Sequence, residues 1–131
     1  MKLLLDTHAL LWWREGSRKL RPRTRAIIET EAASVHVSAA SAWELAIKYR
    51  LGKLKTREPI DRWLPAALES SGFLTLNVTL LHAIHVGTLP DHHADPFDRL
   101  LVAQAALDEL TIVTSDAAFE SYDVRTLDAR A

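Results

Sequence analysis

The sequence contains no cysteine, so disulfides, zinc–thiolate centres and thiol nucleophiles are excluded, and a reducing cytoplasm is the expected compartment. It also lacks an excess of either charge: 16 Lys and Arg stand against 17 Asp and Glu, a net charge of −1. That excludes a protein that coats nucleic acid through a global positive field and leaves such contacts to local basic tracts. Long apolar runs are missing as well. Lys2 to Leu5 starts like a signal peptide, but Asp6 and His8 end it before an apolar region develops, and no later stretch is long enough to span a bilayer. Neither secretion nor membrane insertion is expected. Repeats, linkers and low-complexity tracts are absent too. What remains is 131 residues, 48% hydrophobic and 25% charged, the size and composition of one globular domain, expected over residues 1–131.

Leu3, Leu4 and Leu5 form a short apolar run closed by Asp6, the pattern of a buried central strand with a polar residue where it leaves the sheet. His8 to Arg14 and Arg23 to Ala33 read as helices joined by a polar link containing Gly16, Ser17 and Pro22. Val35 to Ser38 alternates as a strand, and Ala39 to Leu51 carries apolar residues at helical spacing until Gly52. Pro59 opens a helix reaching about Ser70, Phe73 to Val78 is a strand, and Leu80 to Val86 a short helix. Pro96 begins a helix through Glu109, Leu110 to Thr114 is a strand, Ala117 to Tyr122 a helical turn, and Val124 to Thr126 a last strand. Alternation of strands and helices implies an α/β fold with a parallel sheet, whose ligands bind beyond the carboxyl ends of the strands. Asp6 and Asp116 both fall there.

Each acidic residue has a purely structural explanation. Asp6 and Asp116 suit helix N-caps, Ser41 and Glu44 match a capping box, and Asp95, Pro96 and Asp98 match a helix start. Together they read differently. The inferred topology carries Asp6, Glu44, Asp98 and Asp116 to the same end of one sheet, where facing carboxylates repel unless a cation neutralises them. An all-oxygen site selects a hard cation such as Mg²⁺ or Mn²⁺, which leaves positions for a phosphate and an attacking water.

Four segments, LLLDTHALLWW at 3–13, VSAASAWELAIKYRLGKL at 37–54, HHADPFDRLLVAQA at 92–105 and LTIVTSDAAF at 110–119, together resemble the PIN-domain family, in particular the VapC-type toxins of bacterial toxin–antitoxin pairs. The resemblance implies a three-layer fold, with a central, mainly parallel sheet flanked by helices. It implies a metal-dependent endoribonuclease with Asp6, Glu44, Asp98 and Asp116 at the acidic positions, Asp95 as a weaker fifth, and Thr7 and Ser115 as supporting hydroxyls. Asp6 and Asp98 are expected to hold the main cation, with Glu44 and Asp116 acting through water or at a second site. A cognate VapB-like antitoxin lying between the early helices, and a homodimer, are further implications.

His82 and His85, three apart on a helix, and the pair His92 and His93 raise a zinc or manganese site as an alternative. The resemblance instead sets His92 and His93 on a loop bordering the acidic pocket, where they contact RNA or supporting groups. Two basic tracts stand out: Arg14, Arg18, Lys19, Arg21, Arg23 and Arg25, and Lys48, Arg50, Lys53, Lys55 and Arg57. Both fit solvated faces; Lys48, Lys53 and Lys55 are also candidates for RNA contact. Trp12, Trp13, Trp43 and Trp63 lie in apolar-periodic helices and are expected to pack rather than stack on bases. The rivals from other classes are a non-catalytic, Mg²⁺-binding α/β signalling or protein-binding module and a small-molecule phosphohydrolase. The first explains Asp6 but not the tetrad; the second would offer a D-x-D motif where this chain has D-T-H at residues 6–8.

Overall fold

The computed structural model describes residues 1–56 and 58–131, so Arg57 lies outside the described residues. Five parallel strands form one sheet in the order β3-β2-β1-β4-β5: β1 (Lys2–Leu5), β2 (Ser34–Ser38), β3 (Leu74–Leu76), β4 (Thr111–Thr114) and β5 (Arg125–Asp128). Around it lie α1 (Thr7–Glu15), α2 (Pro22–Ala26), α3 (Ala39–Arg50), α4 (Ile60–Ser71), α5 (Leu80–Val86) and α6 (Pro96–Asp108). β1 is central, and Leu3, Leu4 and Leu5 are all fully buried, as a strand covered on both faces requires.

The alternation of side chains along β1 divides the core into two layers. Leu3 and Leu5 join Val35, Val37 and Val113 beneath α1, α3 and α4, where Leu10, Leu45, Trp63 and Leu64 pack. Leu4 points the other way, with Ile112, onto Leu101, Val102 and Ala105 of α6 and onto Phe119 and Tyr122. Burying a Leu side chain contributes roughly 1.5–3 kcal/mol, so the run at 3–5 alone anchors the sheet.

The chain runs outward from β1 to β2 and β3, then crosses back to place β4 on the other side of β1. The direction of winding therefore reverses between β1 and β4, and the carboxyl ends of these two strands open the crevice in which α/β sheets hold ligands. Asp6 extends this pairing, its N–H donating to the Val113 carbonyl at 3.1 Å.

Three boundaries differ from the sequence reading. The helix expected over residues 23–33 is α2 followed by a π-helical turn, Ile27–Glu31, in which the Ala32 N–H reaches the Ile27 carbonyl at 2.9 Å. Just there the Thr30 hydroxyl donates back to the Ala26 carbonyl at 2.7 Å, a side-chain bond of the kind that perturbs a regular helix. The strand expected over 73–78 shrinks to β3, an edge strand that pairs only with β2. The last strand shifts from 124–126 to β5, because pairing with β4 sets Thr111 opposite Arg125 and Thr114 opposite Asp128.

Candidate metal and nucleic-acid site

Asp6 leaves β1 and caps α1, its Oδ1 accepting from the Ala9 N–H at 2.7 Å, and it is only 3% exposed. Burial pushes its carboxyl above the ordinary carboxylate range; the Thr114 hydroxyl and the Ala9 N–H partly offset this. Asp116 leaves β4 and caps the short 3₁₀ turn Ala117–Ser121 through the Ala118 N–H at 2.9 Å. That N–H, followed by contacts with His93, holds the exposed Asp116 carboxyl below the ordinary range despite slight burial. Both residues are therefore caps and sheet-end carboxylates at once, since a cap occupies one oxygen and leaves the other for a ligand.

Glu44 departs from the capping-box expectation. Ser38, not Ser41, caps α3, accepting from the Ala40 N–H at 3.0 Å. Starting the helix three residues earlier moves Glu44 out of its first turn and onto its buried face. There Oε1 accepts from the Thr7 hydroxyl at 2.6 Å and Oε2 pairs with Lys48 at 2.9 Å. Lys48, a candidate for RNA contact, pairs with Glu44 one helical turn away.

Asp98 lies in the first turn of α6, while Asp95 caps that helix with Oδ1 on the Phe97 and Asp98 N–H groups at 2.8 and 3.3 Å. Burial first, then the charges of Asp95, Asp6 and Glu44, push the Asp98 carboxyl up to about 7, against the pull of His93. α3 and α6 thus bring carboxylates from opposite layers to the β1–β4 crevice, where Asp98 feels Asp6 and Glu44, and Asp6 feels Asp116. Asp95 carries the cap.

His93 lies inside this group rather than on its border. Its Nε2 is 3.0 Å from Asp98 Oδ2 and 2.9 Å from Asp116 Oδ2, and its Nδ1 accepts from the Asp95 N–H at 3.1 Å. Potential ligand atoms, one each from His93, Asp98 and Asp116, lie within 4.8 Å of one another. His92 turns away and packs edge-on against Tyr122. His82 and His85 form no metal centre: His82 is buried between the Thr79 N–H and Asp108, and His85 faces Thr88.

Two contributors escaped the sequence reading. Thr114 accepts from the Asp116 N–H at 3.0 Å, and its hydroxyl helps offset the effect of burial on Asp6; Ser115, the hydroxyl expected beside Asp116, lies next to it and lines a small depression. Arg99 clamps the loop before α6, donating to the carbonyls of Val86, Leu89 and Pro90 at 3.1, 3.3 and 2.9 Å. Both lie within the segments at 92–105 and 110–119, but their partners are set by packing.

The tryptophans divide. Trp63 is core, Trp13 packs on Phe73, and Trp12 lies near Lys19 and Arg130. Trp43 contradicts the packing expectation: it is 61% exposed, with the Phe97 ring edge-on to it. The buried residues of α3 are Ala40, Ser41, Glu44 and Leu45, so position 43 faces outward.

Much of the first basic tract is structural. Arg25 donates to the Trp12 and Trp13 carbonyls at the end of α1, and Arg14 lies over Trp63 and pairs with Glu58. Lys53 and Lys55 are exposed. Lys55 borders a groove of about 260 Å³ with Leu11, Arg14 and Trp63, away from the carboxylates. Reversing both charges is expected to lower RNA affinity about tenfold at low salt and to flatten its salt dependence, measured by filter binding without divalent cation. Unchanged affinity would reduce both lysines to solvated surface.

A sheet whose β1–β4 end gathers carboxylates from four separate segments is the arrangement of a PIN domain, and the chain belongs to the PIN domain family, whose model matches residues 3–125. Ribonuclease VapC22 of Mycobacterium tuberculosis is 30% identical over 121 residues, covering 92% of this chain and 91% of that protein. Ribonuclease VapC16 of the same organism is 45% identical over 62 residues, 47% of this chain and 44% of that relative, so this match spans less than half of it. Among solved structures, VapBC2 from Rickettsia felis bound to a DNA fragment from its promoter superposes with a TM-score of 0.71 at 16% identity, covering 97% of this chain and 98% of that one. The last comparison supports the α/β fold.

Proposed function

We propose that this chain is the endoribonuclease toxin of a VapBC-type toxin–antitoxin pair, hydrolysing RNA phosphodiester bonds at the β1–β4 crevice. The observation that carries the reading is the convergence of Asp6, Glu44, Asp98 and Asp116 there, where burial first and then the charges of Asp95, Asp6 and Glu44 push the Asp98 carboxyl up to about 7. Such a donor set fits a hard divalent cation, Mg²⁺ or Mn²⁺, with Asp6 and Asp98 as its principal ligands and Glu44 and Asp116 completing the site. When bound, the cation makes an attacking water more acidic and stabilises charge on the phosphate oxygens.

The remaining work falls to the chain itself. Thr7 and Lys48 hold the two oxygens of Glu44, Thr114 holds Asp6, and His93 holds Asp98 beside Asp116. A carboxylate next to the attacking water orients it and takes its proton, so the ribose 2′-hydroxyl is not the nucleophile. The relatives' names as VapC ribonucleases support RNA as substrate, and the VapBC assembly among the structures of the same fold supports a VapB-like antitoxin as partner. Homodimerisation is part of the proposal, supported by the exposed apolar face of Leu80, Leu81 and Ile84 on α5. No helix among the described residues is long and apolar enough to cross a membrane, and the lack of cysteine suits a cytoplasmic protein.

The test is cleavage by purified, partner-free protein of structured RNA, single-stranded DNA and phosphomonoesters, with and without Mn²⁺. RNA cut only with the cation, also where the cleaved nucleotide carries 2′-deoxyribose, and slowed by about two orders of magnitude or more in Asp6→Asn, is the expected result. Mn²⁺ binding without any cleavage would favour the signalling module, and metal-dependent cleavage undiminished in Asp6→Asn would remove the proposed site.

A further inference from the structure

We infer that His93 is a positioning residue whose Nε2–H donates to Asp116 while standing against Asp98, stapling the two carboxylates together, and is not itself a ligand of the cation. This rests on the proposed function and adds to it the assignment of the residue that assembles the site. Proximity alone groups His93 with the two aspartates as a set of three ligands. The far side of the ring argues otherwise. Nδ1 lies 3.1 Å from the backbone N of Asp95, and a backbone N–H can only donate, so Nδ1 carries the lone pair. The proton of the neutral ring is therefore on Nε2, the nitrogen that faces both carboxylates at 3.0 and 2.9 Å. To bind a cation, Nε2 would need that lone pair itself. The ring proton would then move to Nδ1 and confront the Asp95 N–H, donor against donor.

The surroundings hold this orientation. The His93 ring packs edge-on to the fully buried Phe119 at 5.8 Å. Arg99 ties down the preceding loop through the Val86, Leu89 and Pro90 carbonyls. Asp116 is the carboxylate that most needs a staple, since its side chain is 46% exposed on a single 3₁₀ turn whereas that of Asp98 is 19% exposed on α6. Its Oδ1 is fixed by the Ala118 N–H, and Oδ2 by His93. A carboxylate oxygen that accepts one hydrogen bond retains a second lone pair, so the staple leaves both Oδ2 atoms open to a cation. Metal-binding side chains are commonly oriented in this way by a hydrogen bond from behind. Asp95 gains a part in the site through its main chain alone.

The experiment uses the full chain and Mn²⁺ as the probe. Mn²⁺ affinity is measured by electron paramagnetic resonance titration of the wild type, His93→Ala, His93→Gln and Asp98→Asn, and pulsed spectra of the Mn²⁺-loaded wild type report directly bound nitrogen. The expected results are no imidazole nitrogen on the ion, an affinity about 10–100-fold weaker in His93→Ala, and recovery of most of that loss in His93→Gln, whose amide restores a donor. A nitrogen coupling that vanishes in His93→Ala, an affinity in His93→Ala within about twofold of wild type, or equal weakening in a folded His93→Gln would each overturn the inference. If His93→Ala does not fold, the wild-type spectrum and His93→Gln decide. A wild type that binds Mn²⁺ and cleaves RNA while His93→Ala does so equally well removes the staple alone. A wild type that binds no Mn²⁺ removes the functional reading with it.

Discussion

Replacing Asp98 with Asn is expected to abolish metal-dependent RNA cleavage and, in the same protein, to raise the stability of the metal-free fold at neutral and alkaline pH. The two effects share one cause. The Asp98 carboxyl is lifted from its ordinary 3.8 to about 7, by burial first and then by Asp95, Asp6 and Glu44. With the folded-state value above the unfolded one, folding favours the protonated form. The native state therefore loses stability as pH rises from about 4 to about 7, and above that it carries the full cost of the buried charge. Asn has nearly the same shape and never ionises. Thermal unfolding in EDTA should show a melting temperature for the variant that equals or falls below that of the wild type near pH 4 and exceeds it near pH 8. Mn²⁺ should raise the melting temperature of the wild type only, because a bound cation stabilises the state that holds it. Below about pH 7 the cation competes with the proton on Asp98, so apparent Mn²⁺ affinity should fall as pH drops. A variant less stable than the wild type at pH 8, or one that still cleaves, would contradict this account.

Truncating Phe119 to Ala should cost about 3–5 kcal/mol, a large share of the 5–15 kcal/mol that holds a typical domain together. Phe119 is fully buried and lies with Leu4, Leu101, Ile112 and Tyr122 in the layer under α6. Deleting the ring there leaves a cavity that rigid neighbours on a strand and a helix cannot fill. The same ring supports His93, so the loss reaches the carboxylates as well as the core. Urea unfolding of the metal-free protein reads the effect as a lower midpoint with an unchanged slope. Phe119→Leu, which keeps most of the volume, should lose much less. A cost below about 1 kcal/mol for Phe119→Ala would mean that this layer repacks.

Much of this structure was legible before any coordinates. The apolar run at 3–5 marks a central strand, Pro96 stands at the first position of α6, and the helix expected from Leu80 to about Val86 is α5, whereas Pro22, assigned to a link, begins α2. These signals are local: burial on both faces, a fixed proline φ and helical periodicity act within a few residues. The differences arise where packing or strand pairing chooses between local alternatives. Ser41 had the spacing of a cap, but Ser38 was already at the end of β2 and took the role. Trp43 sits in an apolar-periodic helix, but which side of α3 faces the sheet is set by Leu45 and Glu44. The last strand moved because its register belongs to β4.

The acidic site divides in the same way. Caps and strand ends are written in short-range chemistry, which is enough to set Asp6, Asp98 and Asp116 at or near the ends of elements. Packing across the sheet alone sets Glu44 against Thr7, Thr114 beside Asp6, and His93 between Asp98 and Asp116. Those contacts join residues up to 108 positions apart through the strand order that sets β1 beside β4, here Asp6 and Thr114. The direction of a lone pair across such a distance is fixed by packing, and no local pattern encodes it.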